Sequence, residues 1–337
     1  MPLMIQRCLL LLAALGAISL VGCDKPNAAP PANAGSTNAP PADVGAKRYK
    51  IAVIPKGSAA QFWQSIKAGA DAAGTETKSE IVWLAPNPEN NVVKQVDIVN
   101  TEVTNKVDGI VLCATDATAL TKPVQDAIAK GIPVVTIDSG IKSDDALAYI
   151  ATDNVKGGEA AADSLAKLIG GKGKVGLLIF QKGSVSSDER EKGFVEGIKK
   201  YPGIKLVSTL EASDATKALN NTQNMLSANP DVVGIFAASE PNGVGAAQVV
   251  DQKKMLGKIK IVAFDSSDKE IEDLKSGSIQ ALIVQDPYQM GYKGVIAVLK
   301  AIKKETITEK KVDSGMTVVT KDNLNTPEVQ KLVYPGK

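Results

Sequence analysis

The chain has 337 residues, 23% of them charged, and a formal net charge of +2, with lysines and acids interspersed rather than blocked. No basic stripe points to nucleic acid and no acidic tail to a cationic partner. The count of histidine is 0, which removes the commonest general base and metal ligand, and the 3 cysteines cannot build a metal cluster. Any enzymatic chemistry would have to run on carboxylates, lysine or hydroxyls, and neither a metal nor a cofactor is expected.

Residues 1–22 open with one basic residue, Arg7, and continue as an apolar run from Cys8 to Val21 that ends in small residues. This is a secretory signal, too short for a stable membrane span. Leu20-Val21-Gly22-Cys23 resembles the lipobox of bacterial lipoproteins, which implies diacylglycerol on the Cys23 thiol and a new N-terminus there. Residues 23–47 are rich in Pro, Ala, Asn and Gly, with Val44 the one large apolar side chain. Such a segment cannot bury enough surface to offset its ordering entropy, so it reads as a flexible tether from a lipid anchor. Cys8 leaves with the signal and Cys23 carries lipid, so Cys113 stands alone, without a disulfide, as a small buried filler.

From Tyr49 short apolar runs alternate with helical stretches. The runs are KIAVIP, EIVWLA, GIVLC, PVVTID and AYIA, then KVGLLIF, IKLVSTL, VVGIFA, KIVAF and IQALIV. Continuous rather than alternating apolar residues indicate strands buried on both faces, as in a parallel sheet covered by helices. Val92, Val96, Val99 and Val103 recur at helical spacing. The fold class is therefore α/β, doubly wound. A body of roughly 290 residues exceeds what one core usually serves, so two lobes are expected. The two sets of five strands divide near Ala151-Thr152-Asp153-Asn154, ahead of a helix beginning at Val155. Gly171-Lys172-Gly173-Lys174-Val175-Gly176 fits a dinucleotide fingerprint but precedes a strand, so it reads as a helix-to-strand loop.

In an open parallel sheet, ligands bind beyond the carboxyl ends of the strands. The residues there are Lys56, Cys113 to Asp116, Asp138 and Ser139, Ser239 and Glu240, Asp265, and Gln285, with Phe62 and Trp63 adding flat apolar faces. Carboxylates and amides bond paired hydroxyls while aromatic rings cover C–H faces, which is the chemistry of sugar capture. The candidate site comprises Lys56, Phe62, Trp63, Asp138, Arg190, Glu240, Asp265 and Gln285. Each has a blander role available. Asp138 and Asp265 could form turns or caps, and Arg190 could pair on the surface with Glu189 or Glu191. Lys56 and Glu240 could pair across a cleft or stand exposed, and of the adjacent Phe62 and Trp63 at least one should face the cleft. Asp116 reads as a helix N-cap before Ala117 and stays off the site.

QFWQSIKAGA, CATDATAL, GIPVVTID, ATDNVKGGEAA, SSDEREKGF, NMLSANPDVVGIFA, IVAFDSS and QDPYQMGYKGV, spread from about Tyr49 to Lys331, together resemble the type I periplasmic sugar-binding proteins close to the ribose-binding protein. The resemblance implies two Rossmann-like lobes with parallel sheets joined by a three-stranded hinge. Its crossings would fall near Asp153-Asn154, Gln285-Asp286 and Ser314, giving one lobe of residues 48–153 plus 286–314 and another of 154–285 plus 315–337. It also implies ring stacking by Phe62 and Trp63, and hydroxyl binding by Asp138, Arg190, Asp265 and Gln285. Ser139, Cys113, Ser213, Lys56 and Glu240 depart from the ribose-binding pattern, which argues against ribose itself. The expected partners are a small sugar or polyol, an ABC transporter permease, and the membrane through the lipid anchor, with the protein a monomer at the periplasmic or outer cell surface. A repressor of this fold would need a DNA-binding segment where the signal and tether stand. A glycosidase using Asp138 and Asp265, or a chemosensory or quorum-sensing receptor, are the alternatives.

Overall fold

A computed structural model describes residues 47–334; the signal, Cys23 and all of the tether but Lys47 lie outside them. Two six-stranded sheets form the body. The first has the order β2-β1-β3-β4-β5-β11, from β1 (Lys50–Ile54), β2 (Glu80–Trp83), β3 (Gly109–Leu112), β4 (Val134–Ile137), β5 (Tyr149–Ala151) and β11 (Lys311–Asp313). The second repeats it as β7-β6-β8-β9-β10-β12, from β6 (Lys172–Ile179), β7 (Gly203–Glu211), β8 (Val232–Ala237), β9 (Lys260–Phe264), β10 (Ala281–Gln285) and β12 (Met316–Val319). All neighbours run parallel except β12, which pairs antiparallel with β10.

The continuous apolar runs have the cause the pattern suggested, because both faces of each sheet are covered. Ile51 and Val53 of β1 join one core with Trp63, Ile66 and Ala70 of α1 (Gln61–Thr77) and Val295 and Val298 of α9 (Pro287–Ile302). Ala52 and Ile54, pointing the other way, join Val99 and Val103 of α2 (Val92–Thr104) and Val124 of α3 (Thr121–Ala129). The second sheet is sandwiched likewise, with Phe194, Phe236 and Phe264 stacked on one face. Here α4 (Asn154–Leu168) and α5 (Val185–Ile198) lie on one side, and α6 (Ala215–Ala228), α7 (Glu240–Gln252) and α8 (Asp268–Ser276) on the other. The last helix, α10 (Pro327–Val333), buries Val329 and Val333 in this second lobe. Gly171, at positive φ, ends the short turn from α4, but Lys172 to Gly176 already belong to β6, so the loop expected over the glycine-rich stretch is mostly strand.

The chain passes between the sheets three times: from β5 into α4, from β10 into α9, and from β11 to β12 through Ser314 and Gly315. In both sheets the strand order reverses beside the first strand, so the carboxyl ends of the two sheets hold the crevices where ligands bind in such folds. Hydrogen bonds across that gap, such as Ala117 N to Gly183 O at 2.8 Å, bring the two sets of strand ends together. Among the described residues no helix is long and apolar enough to cross a membrane.

Candidate functional site

Where the strand ends meet, a cavity of about 410 Å³, its open mouth included, is lined by Lys56, Phe62, Trp63, Asp138, Arg190, Glu240, Asp265 and Gln285. The structure thus brings all eight candidate residues to one place. Ala60, Glu89, Phe180, Ser186, Ser187, Ser239 and Pro241 complete the wall.

Lys56, two residues beyond β1, is 3% exposed, and its Nζ lies 2.8 Å from Asp138 Oδ2 at the end of β4. The same ammonium donates across the cleft to Ser184 Oγ and Ser186 Oγ, each at 3.0 Å. Its ionic partner is therefore Asp138 of its own lobe, not Glu240, and neither Lys56 nor Glu240 is an exposed strand end. Buried ions need such partners, because desolvation of either alone costs several kcal/mol or more. Asp138 Oδ2 has no partner beyond this ion pair, and Ser239 Oγ is buried without any. Buried polar atoms rarely stay unpaired, and the Ser239 hydroxyl lines the cavity. Asp138 holds a left-handed backbone (φ 59°) that delivers its carboxyl to the cleft instead of a turn, as does Asp265 (φ 85°).

Asp265, just past β9, accepts Gln285 Nε2 at 2.6 Å and the Glu240 backbone N–H at 3.0 Å. The cap expected of it before α8 is made by Ser267, in a reciprocal box with Glu270. Burial raises the Asp265 pKa, against the pull of Arg190. Arg190 is 5% exposed, so its surface pairing is not realised; Glu191 pairs with Lys182 instead. Its guanidinium lies 3.7 Å from the Phe264 ring centroid, donating to Asn154 Oδ1 and to the Ala238 carbonyl at 2.8 Å each. Burial is the largest influence on it and lowers its pKa, with the Asp265 and Asp138 charges opposing.

Phe62 and Trp63 both reach the cavity, meeting edge to face with centroids 4.9 Å apart. Trp63 Nε1 donates to Glu89 Oε1 at 2.9 Å. Glu89 escaped the sequence reading because it lies in the loop beyond β2, well past the strand end where ligand groups were sought. Ser186 sits in the SSDEREKGF stretch, whose hydroxyls carry no signal of their own in the sequence. Ser239 stands at its strand end, where a single hydroxyl carries less signal than the neighbouring Glu240 carboxylate. Cys113 is fully buried, with its carbonyl held by Gln95 Nε2, as a filler should be. Asp116 bonds the Thr118 and Ala119 N–H groups, but Ala117 to Leu120 form a turn and α3 starts at Thr121. The helix expected from Ala117 thus starts four residues later, after a turn whose N–H groups Asp116 satisfies. No cluster of three His, Cys, Asp or Glu side chains among the described residues could hold a metal.

Two α/β lobes whose strand ends enclose a polar cleft with aromatic walls define a two-lobed ligand-binding protein with the type I periplasmic binding protein fold. The chain belongs to the family described as the periplasmic binding protein domain, whose model matches residues 51–306. The ribose import binding protein of Haemophilus influenzae is 31% identical over 259 residues, covering 77% of this chain and 87% of that protein. A carbohydrate transporter solute-binding protein from Agrobacterium radiobacter, solved with D-arabinose, superposes with a TM-score of 0.83 at 36% identity, covering 86% of this chain and 100% of that one. One from Agrobacterium vitis with bound D-fucose gives 0.82 at 37% identity, covering 85% and 100%. These relatives are transport binding proteins, not enzymes, so the glycosidase alternative has no support among them.

Proposed function

We propose that this protein captures a monosaccharide or small polyol in the interlobe cleft and delivers it to the permease of an ABC importer. The observation that carries the reading is the cavity itself, with two aromatic walls, two buried cations, carboxylates from both lobes, and an unpartnered buried hydroxyl at Ser239. Asp138 and Lys56 grip from one lobe, Arg190, Asp265 and Gln285 from the other side, Phe62 and Trp63 cover the apolar face, and Glu240 closes the rim. The lobes divide as 48–153 plus 286–314 and 154–285 plus 315–337. The names of the ribose, D-arabinose and D-fucose relatives support the sugar class. Lipidation at Cys23 and the tether over 23–47 keep the body beside its permease, outside the cytoplasm.

A thermal-shift screen against D-arabinose, D-fucose, D-ribose, D-allose and xylitol tests the reading. A ligand at 100 times its Kd adds about 2.7 kcal/mol of stability. Asp138→Ala should lower the affinity of the best sugar by roughly one to three orders of magnitude, since a charge-assisted bond is lost and Lys56 is stranded. No shift with any sugar or polyol would refute the substrate class. Palmitate labelling of the wild type but not of Cys23→Ser tests the anchor separately.

A further inference from the structure

Helix α1 begins after Ala60, whose extended backbone (φ −67°, ψ 145°) suits an N-cap but whose methyl group offers no acceptor. Its leading N–H groups are served from the opposite lobe. Gln61 N donates to Glu240 Oε1 at 3.1 Å and Phe62 N to Glu240 Oε2 at 3.0 Å. Glu240 itself occupies the first turn of α7. The exchange is mutual, because Gln61 Oε1 accepts the backbone N–H of Asp268, the first residue of α8, at 2.8 Å. The line of bonds continues from the Glu240 backbone N–H to Asp265, and from Asp265 to Gln285 at the crossing into α9. A carboxylate at a helix N-terminus satisfies otherwise orphaned donors and meets the positive end of the helix dipole.

We propose that Gln61 and Glu240 are positioning residues for binding: a two-way helix cap made only with the lobes together, which favours closure and sets Phe62 and Trp63 over the ligand. Both Glu240 oxygens are committed to α1, so Glu240 acts on the ligand through the helix rather than by contact. When the lobes part, α1 has no side-chain cap of its own to replace the lost one. The closed state therefore gains these bonds at no competing cost within α1. This inference rests on the proposed function only where sugars are used to test it.

The distance between spin labels at Lys130→Cys and Lys200→Cys, exposed positions on the two lobes, reads closure in the full chain. Glu240→Ala and Gln61→Ala should each deplete the short-distance population of the unliganded protein, and the double variant should add little beyond the larger single effect. Ala60→Ser gives α1 a cap within its own lobe. It should raise the melting temperature and yet also deplete the closed population, opposite signs that a merely structural role would not produce. Affinity for D-arabinose should fall about threefold to thirtyfold in Glu240→Ala, the range of a lost cap, with the rank order of D-arabinose, D-fucose and D-ribose kept. Label distances identical in the wild type and all variants overturn the proposal whatever the sugars do. A changed sugar order in Glu240→Ala overturns it in favour of direct contact. If no sugar binds the wild type, the sugar reading fails while the distances still decide the cap.

Discussion

Glu89 is held over the Gly57 backbone so closely that a Cβ there would lie 2.4 Å from Glu89 Oε2, and it accepts from Trp63 at 2.9 Å. Burial pushes its pKa from 4.5 up to about 7, while the Trp63 bond and the Lys56 charge pull it down, and Glu240 and Asp138 oppose them. Between those two values the native state binds more proton than the unfolded chain. Stability from this group is therefore full below about 4.5 and is lost as pH rises through about 7. Burial raises Glu240 and Asp265 in the same direction, so the wild-type slope alone cannot isolate Glu89. Glu89→Gln, nearly isosteric and uncharged, should match the wild type in acid and gain on it steadily towards neutrality. Denaturation midpoints of the two proteins across that range check this, and curves that stay parallel would remove Glu89 from the ionisable groups of the cleft.

At the scale of elements, both lobes fasten a helix pair by the same device. An added Cβ at Gly69 of α1 would lie 2.0 Å from the Tyr288 carbonyl of α9, and one at Gly291 would meet the Ile66 carbonyl at 2.0 Å. In the second lobe, Gly158 of α4 would meet the Arg190 carbonyl of α5 at 2.2 Å, and Gly193 the Val155 carbonyl at 2.0 Å. Because the obstacle is backbone, Gly158→Ala must push the helices apart. Overpacking of this kind costs typically about 1–3 kcal/mol, offset only in part by the better helix propensity of alanine. The displaced backbone is that of Arg190, so Gly158→Ala should weaken sugar binding as well as stability. An unchanged melting temperature with unchanged calorimetric affinity would contradict this. The helix pairing itself was not legible in the chain, since glycines 222 positions apart or 35 apart announce no contact. Ten of the strands were, most plainly the inner ones, because burial on two faces writes itself as uninterrupted Val, Ile and Leu. β11 and β12 were not: Lys311, Val312 and Asp313 form a three-residue edge with charged ends, and β12 follows it after a two-residue crossing. Site residues at strand ends could be found by position, whereas the Lys56–Asp138 pairing depends on the lateral order of β1 and β4, which no spacing encodes.

For the whole molecule, the crossings decide how the lobes can move. Two of them are laced together: Asp313 Oδ1 accepts from Gly315 N at 2.8 Å and Asp153 N at 3.3 Å, and Thr152 Oγ1 lies 3.4 Å from Ser314 Oγ. Motion is thereby confined to a few backbone torsions, as hinge closure requires. A ligand that touches both lobes binds the closed form in preference, and only that difference in affinity can shift the population; moving it from 1:99 to 99:1 takes about a 10⁴-fold preference. Saturating sugar should therefore reduce the radius of gyration measured by small-angle scattering. Gly315 gives a way to perturb the hinge alone. It holds φ 82°, and a Cβ there would meet nothing within 4 Å, so Gly315→Ala adds torsional strain without a clash. If Gly315 leaves this torsion when the lobes part, an alanine there penalises the closed form alone, by roughly 1–2 kcal/mol. Gly315→Ala should thus bind sugar about five- to thirtyfold more weakly, with its sugar-bound radius equal to that of the wild type, since the same closed form is reached from a less favourable balance. A radius that does not change at saturation in the wild type would rule out closure, and a Gly315→Ala protein of undiminished affinity would show that the third crossing carries no share of it.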